Sequence, residues 1–587
     1  MFRDTGIREV GPYMSQQVLM PKLGLTMTEG NVAEWRKNVG DSVRKGEVLL
    51  VVATDKLTFD VEAQEDGVLL QILVPAGQSV PVSAPIAVIG ARGEAIDGLR
   101  ENGPQAEPSR APAESALKGV AGAEKRVSVI GGGPGGYVAA IRAAQLGAKV
   151  TLVEKGPIGG TCLNVGCIPT KVLLHTAEVY SEIGHAKDLG ISVTGASVDW
   201  NALMMRKNAA VQTLTGGVTT LLRSNGVRVL AGEASFVSSG EIVVRSANGG
   251  EEKVEHDAAI IATGSEAFVP PVPGFDLPGV ITSTEALSLS RIPKSMTLVG
   301  GGVIGVEFAS IFASFGTSLT IAEMLPEILP NIDEEITGIL KATLLQRGVR
   351  IRTSSKVTGV RQAEKGLVVT VDTPDGRMEI EAECVLVCVG RKPNTSGLAL
   401  DRAGVSVERG RIVTDGRMRT SQPGIYAVGD CASPIMLAHV ASREGEVAAE
   451  NIMGHDVVMD YRTTPSAIYT SPEVASVGLT ERQVGEKGIA VRVGRFPLAA
   501  NAKSMIANDV SGIVKYVVDE KYGEILGLHI VGPRATDLIV EGALAIRLEA
   551  TVDEIATTIH AHPTIGEALA EAALASRNEA IHMPKKQ

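Results

Sequence analysis

The sequence predicts an α/β fold with a small all-β unit in front of it. Three observations carry this: a strand-to-glycine-turn motif that occurs twice, a cysteine pair that follows only its first copy, and an N-terminal run of short strands with its own internal repeat. At 587 residues the chain is too long for one core and must divide.

Residues 1–14 match no pattern and read as an extension, with Met14 a second candidate start. Residues 15–91 alternate short apolar runs with Gly, Pro and Asp turns. Gly30, Gly40, Val43 and the run 48–52 recur at one constant offset as Gly67, Gly77, Val80 and 85–89, which predicts a small quasi-symmetric β-sandwich. Between the halves two strand-like runs meet at an Asp55-Lys56 tip. Residues 92–124 are rich in Ala, Gly, Pro and Glu, a composition that cannot bury enough surface to offset its ordering entropy, and they read as a flexible linker. Such a linker spans roughly 30 Å on average and about 100 Å when extended.

The first glycine unit is Val127-Ser-Val-Ile-Gly131-Gly-Gly133-Pro-Gly-Gly136, then a helix-like stretch to Gly147 and a strand ending at Glu154. In this βαβ context the glycines let the backbone approach a pyrophosphate at the helix N-terminus, and the acidic residue accepts from a ribose diol. The second unit places Gly300, Gly302, Gly305, Gly316 and Glu323 at one constant offset from Gly131, Gly133, Gly136, Gly147 and Glu154. Two dinucleotide sites in one chain, with thiols after the first only, imply a flavin nucleotide beside the thiols and a nicotinamide nucleotide at the second. Glu323, followed by Met-Leu-Pro-Glu-Ile-Leu-Pro without arginine, repels a 2′-phosphate and favours NAD over NADP.

The pair itself is Gly159-Gly-Thr-Cys162-Leu-Asn-Val-Gly-Cys167-Ile-Pro-Thr-Lys171, read as one helical turn between two redox thiols. Buried apolar cysteines or zinc ligands are the ordinary alternatives, and no second Cys/His pair lies near enough to complete a zinc site. Cys384 and Cys388 sit in an apolar, β-branched run ending at Gly390 and read as small core residues. Cys431 carries no sign of reactivity. Five cysteines without an apolar leader fit a reducing, cytoplasmic compartment. The net charge of −11 and the lack of a basic run argue against nucleic acid, and no apolar stretch is long enough for membrane insertion.

With Ala262-Thr263-Gly264, Gly390-Arg-Lys-Pro-Asn394, Ala427-Val-Gly-Asp430, Leu437-Ala438-His439 and His560-Ala-His562-Pro-Thr-Ile-Gly-Glu567 added, the chain from about Lys125 onward resembles the pyridine nucleotide-disulfide oxidoreductases, and within them the dihydrolipoamide dehydrogenases. The N-terminal unit resembles the lipoyl domains of the same multienzyme complexes, with Lys56 at the position that carries lipoate. The resemblance implies two Rossmann-like FAD- and NAD-binding domains and an α+β dimerisation domain, preceded by an all-β lipoyl domain. It sets the FAD-binding domain at 125–270, the NAD-binding domain at 271–395, a central segment at 396–463 and the dimerisation domain at 464–587.

The resemblance also implies roles. Cys162 exchanges with substrate and Cys167 faces the flavin. Gly131, Gly133, Gly136, Glu154, Thr263, Gly264, Asp430, Leu437, Ala438 and His439 surround FAD. Lys171 and Glu307 form an ion pair beside the flavin N5, and Gly300, Gly302, Gly305, Glu323 and Gly390 lie on the NAD side. His562, oriented by Glu567, is the general base and reaches the disulfide from the other subunit of a homodimer. His560 reads as a solvated turn residue. The implied activity is NAD-dependent oxidation of dihydrolipoyl groups in a 2-oxo acid or acetoin dehydrogenase complex, alongside its E1 and E2 acyltransferase components. Two other readings stand beside it. One is a reductase for a different disulfide or a metal ion, disfavoured by Glu323 and by a C-terminus without cysteine. The other is a lipoyl carrier or scaffold.

Overall fold

The computed structural model describes residues 16–21, 29–53, 58–91 and 125–584, in two compact units within Met1–Val120 and Ala121–Gln587. The expected attachment residue Lys56, the extension 1–14 and the linker 92–124 lie outside the described residues.

The first unit pairs two four-stranded sheets. One runs Gln16–Leu19, Pro85–Gly90, Gly67–Ile72, Ser42–Val43; the other runs Thr58–Glu62, Val48–Ala53, Glu29–Trp35, Ser79–Pro81. The sequence repeat becomes a spatial one, because strands of each half alternate between the sheets. Even the irregularities repeat: the register slips at Val32/Glu34 in one sheet and at the equivalent Leu69/Gln71 in the other. Gly40 N–H donates to Leu69 O while Gly77 N–H donates to Val32 O, the same bond with the halves exchanged. Inward residues Val32, Leu50, Val52, Leu69 and Ile86 are fully buried, and the register irregularity between Val48 and Leu50 buries Leu49 beside them. Strands Val48–Ala53 and Thr58–Glu62 pair antiparallel up to Ala53 opposite Thr58.

The second unit holds three larger layers. Its first parallel sheet runs Arg228–Ala231, Lys149–Glu154, Arg126–Ile130, Ala258–Ile261, Ile425–Ala427. Its second runs Arg350–Arg352, Ser318–Ala322, Ser295–Val299, Cys384–Val387, Val280–Ile281, again all parallel. The near-continuous Val, Ile and Ala runs suit strands covered on both faces. Each sheet carries a three-stranded antiparallel insert before its fourth strand, spanning 233–255 in one and 356–382 in the other. The C-terminal region is a five-stranded antiparallel sheet covered by helices Ala535–Arg547 and Glu567–Ala575.

Candidate active site between two glycine turns

Both glycine turns open onto one continuous cavity of about 1470 Å³ in the second unit. Gly131 (φ 107°) and Gly300 (φ 111°) need the left-handed region. A Cβ on Gly136 would lie 1.8 Å from Gly131 O, and one on Gly305 would lie 2.2 Å from Gly300 O, so neither helix could start as closely with any side chain. Gly133 and Gly302 differ: an added Cβ meets only Gly160 Cα at 3.9 Å at the first and nothing within 4 Å at the second. Both line the cavity, where a Cβ would take space from a ligand. They cap helices Pro134–Gln145 and Val303–Ser314 with no side-chain acceptor on the first-turn amides. Those are the conditions a pyrophosphate needs.

The two acidic residues are held identically. Glu154 Oε2 accepts from Gly132 N–H at 2.6 Å and its Oε1 from Gly156 N–H at 2.7 Å. Glu323 Oε2 accepts from Gly301 N–H at 2.6 Å and its Oε1 from Leu325 N–H at 2.7 Å. Each oxygen keeps a second lone pair, so both carboxylates are oriented to accept from a ribose.

Cys162 and Cys167 line the same cavity, but not one turn apart on one helix. The chain breaks at Gly166 (φ −141°, ψ −114°), leaving Cys162 in Gly160–Val165 and making Cys167 the first residue of helix Cys167–Gly184. A Cβ at Gly166 would sit 2.8 Å from Thr161 O, and Thr170 N–H and Oγ1 both donate to Gly166 O, which fixes the break. The two cysteines are free thiols here. The hydrogen bond from Cys162 lowers the Cys167 thiol to about 7 against the opposing effect of burial, with Lys171 adding to the lowering. The same bond raises Cys162, as does its burial. The two thiols are thus differentiated, with Cys167 the thiolate.

Lys171 Nζ bonds both oxygens of Glu307, at 2.8 and 2.9 Å, and joins the thiol helix to the second-unit helix. Glu307 Oε1 also accepts from Tyr469 N–H at 3.0 Å, and Lys171 Nζ stands 4.5 Å from the centre of the Tyr469 ring. On the opposite wall Asp430 Oδ2 accepts from Ser265 Oγ at 2.5 Å, whose oxygen in turn accepts from Arg391 Nε at 2.7 Å. Thr263 Oγ1 donates to Asn394 O at 2.6 Å and Asn394 N–H to Gly264 O at 2.9 Å, so these two distant motifs form one patch beside Gly390. Leu437 is the N-cap of helix Ala438–Ile452, which points its N-terminus and His439 at the cavity. His439 Nε2 pairs with Pro465 O at 2.9 Å.

His562 Nδ1 pairs with Glu567 Oε1 at 2.8 Å, and Glu567 Oε2 accepts from Thr564 N–H, so the carboxylate orients the ring. Neither lines the cavity of its own chain, and the His562 side chain is 72% exposed. His560 departs from the solvated turn expected of it. Its side chain is only 10% exposed, and Nε2 meets Glu541 Oε1 at 3.1 Å, which raises its pKa. The sequence reading missed Tyr469 and Ser265, which carry no local motif, and it quoted Arg391 within the Gly390–Asn394 run without giving it a role; Ser265 and Arg391 are brought together by strand pairing. Cys388 is a buried core residue, as expected, and its thiol donates to Val299 O at 3.2 Å, behind the second glycine turn. Burial pushes Cys388 up to about 12, so it is an inert thiol.

Comparison with known proteins agrees with this geometry. The pyridine nucleotide-disulphide oxidoreductase model matches residues 125–445, its dimerisation-domain model 464–573, and the model described as biotin-requiring enzyme 16–89. Dihydrolipoyl dehydrogenase of Geobacillus stearothermophilus is 43% identical over 466 residues, covering 79% of this chain and 98% of that protein. The Bacillus subtilis dihydrolipoyl dehydrogenase is 42% identical over 460 residues, 78% of this chain and 97% of that one. Among solved structures, LpdA from Mycobacterium tuberculosis superposes with a TM-score of 0.72 at 30% identity, covering 76% of this chain and 99% of that one. The dimerisation domain supports a homodimer, and no helix among the described residues is long and apolar enough to cross a membrane. The chain belongs to the pyridine nucleotide-disulphide oxidoreductases, as an FAD- and NAD-dependent enzyme of the dihydrolipoyl dehydrogenase type with a biotin/lipoyl domain at its N-terminal end.

Proposed function

We propose that this chain oxidises protein-bound dihydrolipoyl groups through a Cys162–Cys167 disulfide, with NAD as final acceptor. The observation that carries it is the thiol pair on either side of the Gly166 break, with Cys167 at the head of an 18-residue helix, in a cavity shared by two glycine turns. A substrate thiolate attacks Cys162 Sγ and displaces Cys167 as a thiolate, a good leaving group because its pKa is near 7. The second substrate thiolate then attacks the substrate sulfur bound to Cys162, closing the oxidised ring and releasing the Cys162 thiolate. His562 of the partner subunit, aligned by its own Glu567, takes the substrate proton. FAD, when bound, supplies the two-electron exchange between the thiols and the nicotinamide. Gly131, Gly133 and Gly136 with Glu154 hold its pyrophosphate and ribose, Asp430 its ribityl chain, and Thr263, Gly264 and the 437–439 turn its far end. Gly300, Gly302, Gly305, Glu323 and Gly390 hold NAD, and Lys171 with Glu307 orients the reacting ring.

Lys56 is the proposed lipoyl attachment, and E2 acyltransferase and E1 components of a parent complex are the proposed partners, in a cytoplasmic setting. A carrier role for the N-terminal domain is compatible with the enzyme and is favoured by the biotin/lipoyl match. The test is NADH formation from dihydrolipoamide, with NAD or NADP, by wild type and Cys167→Ser. The proposal expects NAD-selective turnover that the substitution abolishes. Wild-type turnover by the variant, or preference for NADP, contradicts it.

A further inference from the structure

We infer that Tyr469 is a positioning residue that sets the electrostatics of the site by holding the Lys171 ammonium against Glu307 with the face of its ring. The inference rests on the proposed role of the Lys171–Glu307 pair beside the flavin.

Three separate parts of the chain meet here. Lys171 comes from the thiol helix, Glu307 from the second-unit helix, and Tyr469 follows strand Ser466–Ile468 of the C-terminal sheet. Tyr469 touches both charges, its N–H donating to Glu307 Oε1 at 3.0 Å and its ring lying 4.5 Å from Lys171 Nζ. Glu307 is 4% exposed and fixed by two hydrogen bonds from Lys171 and one from Tyr469, whereas the Lys171 side chain is 30% exposed and has Glu307 and the Tyr469 ring as its neighbours. A cation held over an aromatic face is stabilised by the ring quadrupole, more so when partly desolvated. The contacts use the ring and the backbone rather than the hydroxyl, so phenylalanine keeps them and an aliphatic residue loses the ring alone.

Lys171 acts on two neighbours. It favours the Cys167 thiolate, and in the proposed reading it favours the reduced flavin. Loosening it raises the Cys167 midpoint and makes the flavin potential more negative. The experiment replaces position 469 in the holoenzyme with Phe, then with mono-, di- and trifluorinated phenylalanines, which weaken the quadrupole at nearly constant shape. Tyr469→Leu and Lys171→Met complete the set. The readouts are the thiolate titration of the reduced enzyme, the flavin midpoint potential and the rate of reduction by dihydrolipoamide. We expect both midpoints to move in graded order with fluorination, and Tyr469→Leu to slow reduction roughly tenfold, with Phe recovering most of the loss. If Lys171→Met moves both midpoints and the fluorinated series is flat, the inference is overturned and the reading of the ion pair stands. If Lys171→Met moves neither, both are overturned.

Discussion

The two nucleotide units of the chain share a backbone and differ in what is attached to it. Gly131 and Gly300, and likewise Gly133 and Gly302, adopt the same φ within a few degrees, and their acidic residues accept the same two backbone N–H bonds at 2.6 and 2.7 Å. The first-unit helix is faced with Gly and Ala, so it packs very closely on Ala438–Ile452: a Cβ on Gly445 would come within 2.4 Å of Gly135 O. The second-unit helix is buried from Gly305 to Phe312, with Phe308 and Phe312 stacked at 6.1 Å and Glu307 set among them. The fifth strand of the first sheet returns from later in the chain, at Ile425–Ala427, whereas that of the second precedes its unit, at Val280–Ile281. One nucleotide-binding scaffold therefore serves two tasks, and the specialisation lies in the residues placed just after the turn and in long-range partners.

The largest effect we expect separates the tasks kinetically. His562→Gln slows reduction by dihydrolipoamide roughly 10²–10⁴-fold, while NADH oxidation with an artificial acceptor, which needs only the second unit and the flavin, is spared. Equal loss in both assays, read side by side, would break the division.

This division also explains what was legible in the sequence. Gly136 and Gly305 are demanded by contacts within their own turns and Gly131 and Gly300 by their left-handed φ, so a local pattern reveals them. The thiol pair was visible too, but not the break at Gly166, because a glycine between helical residues gives no sign of the φ and ψ it takes. The grouping of Ser265 with Asp430 and Arg391 was invisible, although Asp430 and Arg391 each stand in a motif, since it forms where strand Ser265–Ala267 pairs with Arg391–Pro393, more than 120 residues away. His560 failed for the same reason: its partner Glu541 lies on another helix. The internal repeat of the first unit was fully readable because each half supplies the other's hydrogen bonds.

A second difference is mechanical. Among the described residues, the second nucleotide unit, and not the first, is pinned to the C-terminal sheet by a buried ion pair, Lys515 Nζ to Asp333 Oδ1 at 2.8 Å, both side chains 3% exposed, with Glu335 and Glu481 also in reach. Lys515→Met leaves Asp333 buried without its cation and lowers stability by about 3–5 kcal/mol in denaturant titration. A change below about 1 kcal/mol would show the pair to be dispensable.

Alanine at equivalent glycines sharpens the comparison further. Gly136→Ala weakens FAD retention and Gly305→Ala raises the KM for NAD, each by about 1–3 kcal/mol, since a backbone carbonyl must give way in both. Flavin content measured by absorbance and NAD titration separate the two outcomes, and crossed effects would contradict the assignment.

The smallest effect concerns pH. Because the Cys167 pKa is lowered to about 7, its thiolate exists above that pH and is lost below it. Cys388 is pushed up to about 12 and stays protonated throughout. Thiolate absorbance of the reduced protein falls roughly tenfold between about pH 8 and pH 6, with a single step near 7. A midpoint at an ordinary thiol value would remove the asymmetry between Cys162 and Cys167.

Differential alkylation followed by peptide mass spectrometry tests the central claim most directly. The account predicts that in oxidised holoenzyme Cys162 and Cys167 resist labelling as a disulfide, that dihydrolipoamide alone exposes both, and that NAD restores protection. Labelling unchanged by dihydrolipoamide, or protection not restored by NAD, would contradict a relay that runs from the thiols of the first nucleotide unit to the nucleotide of the second.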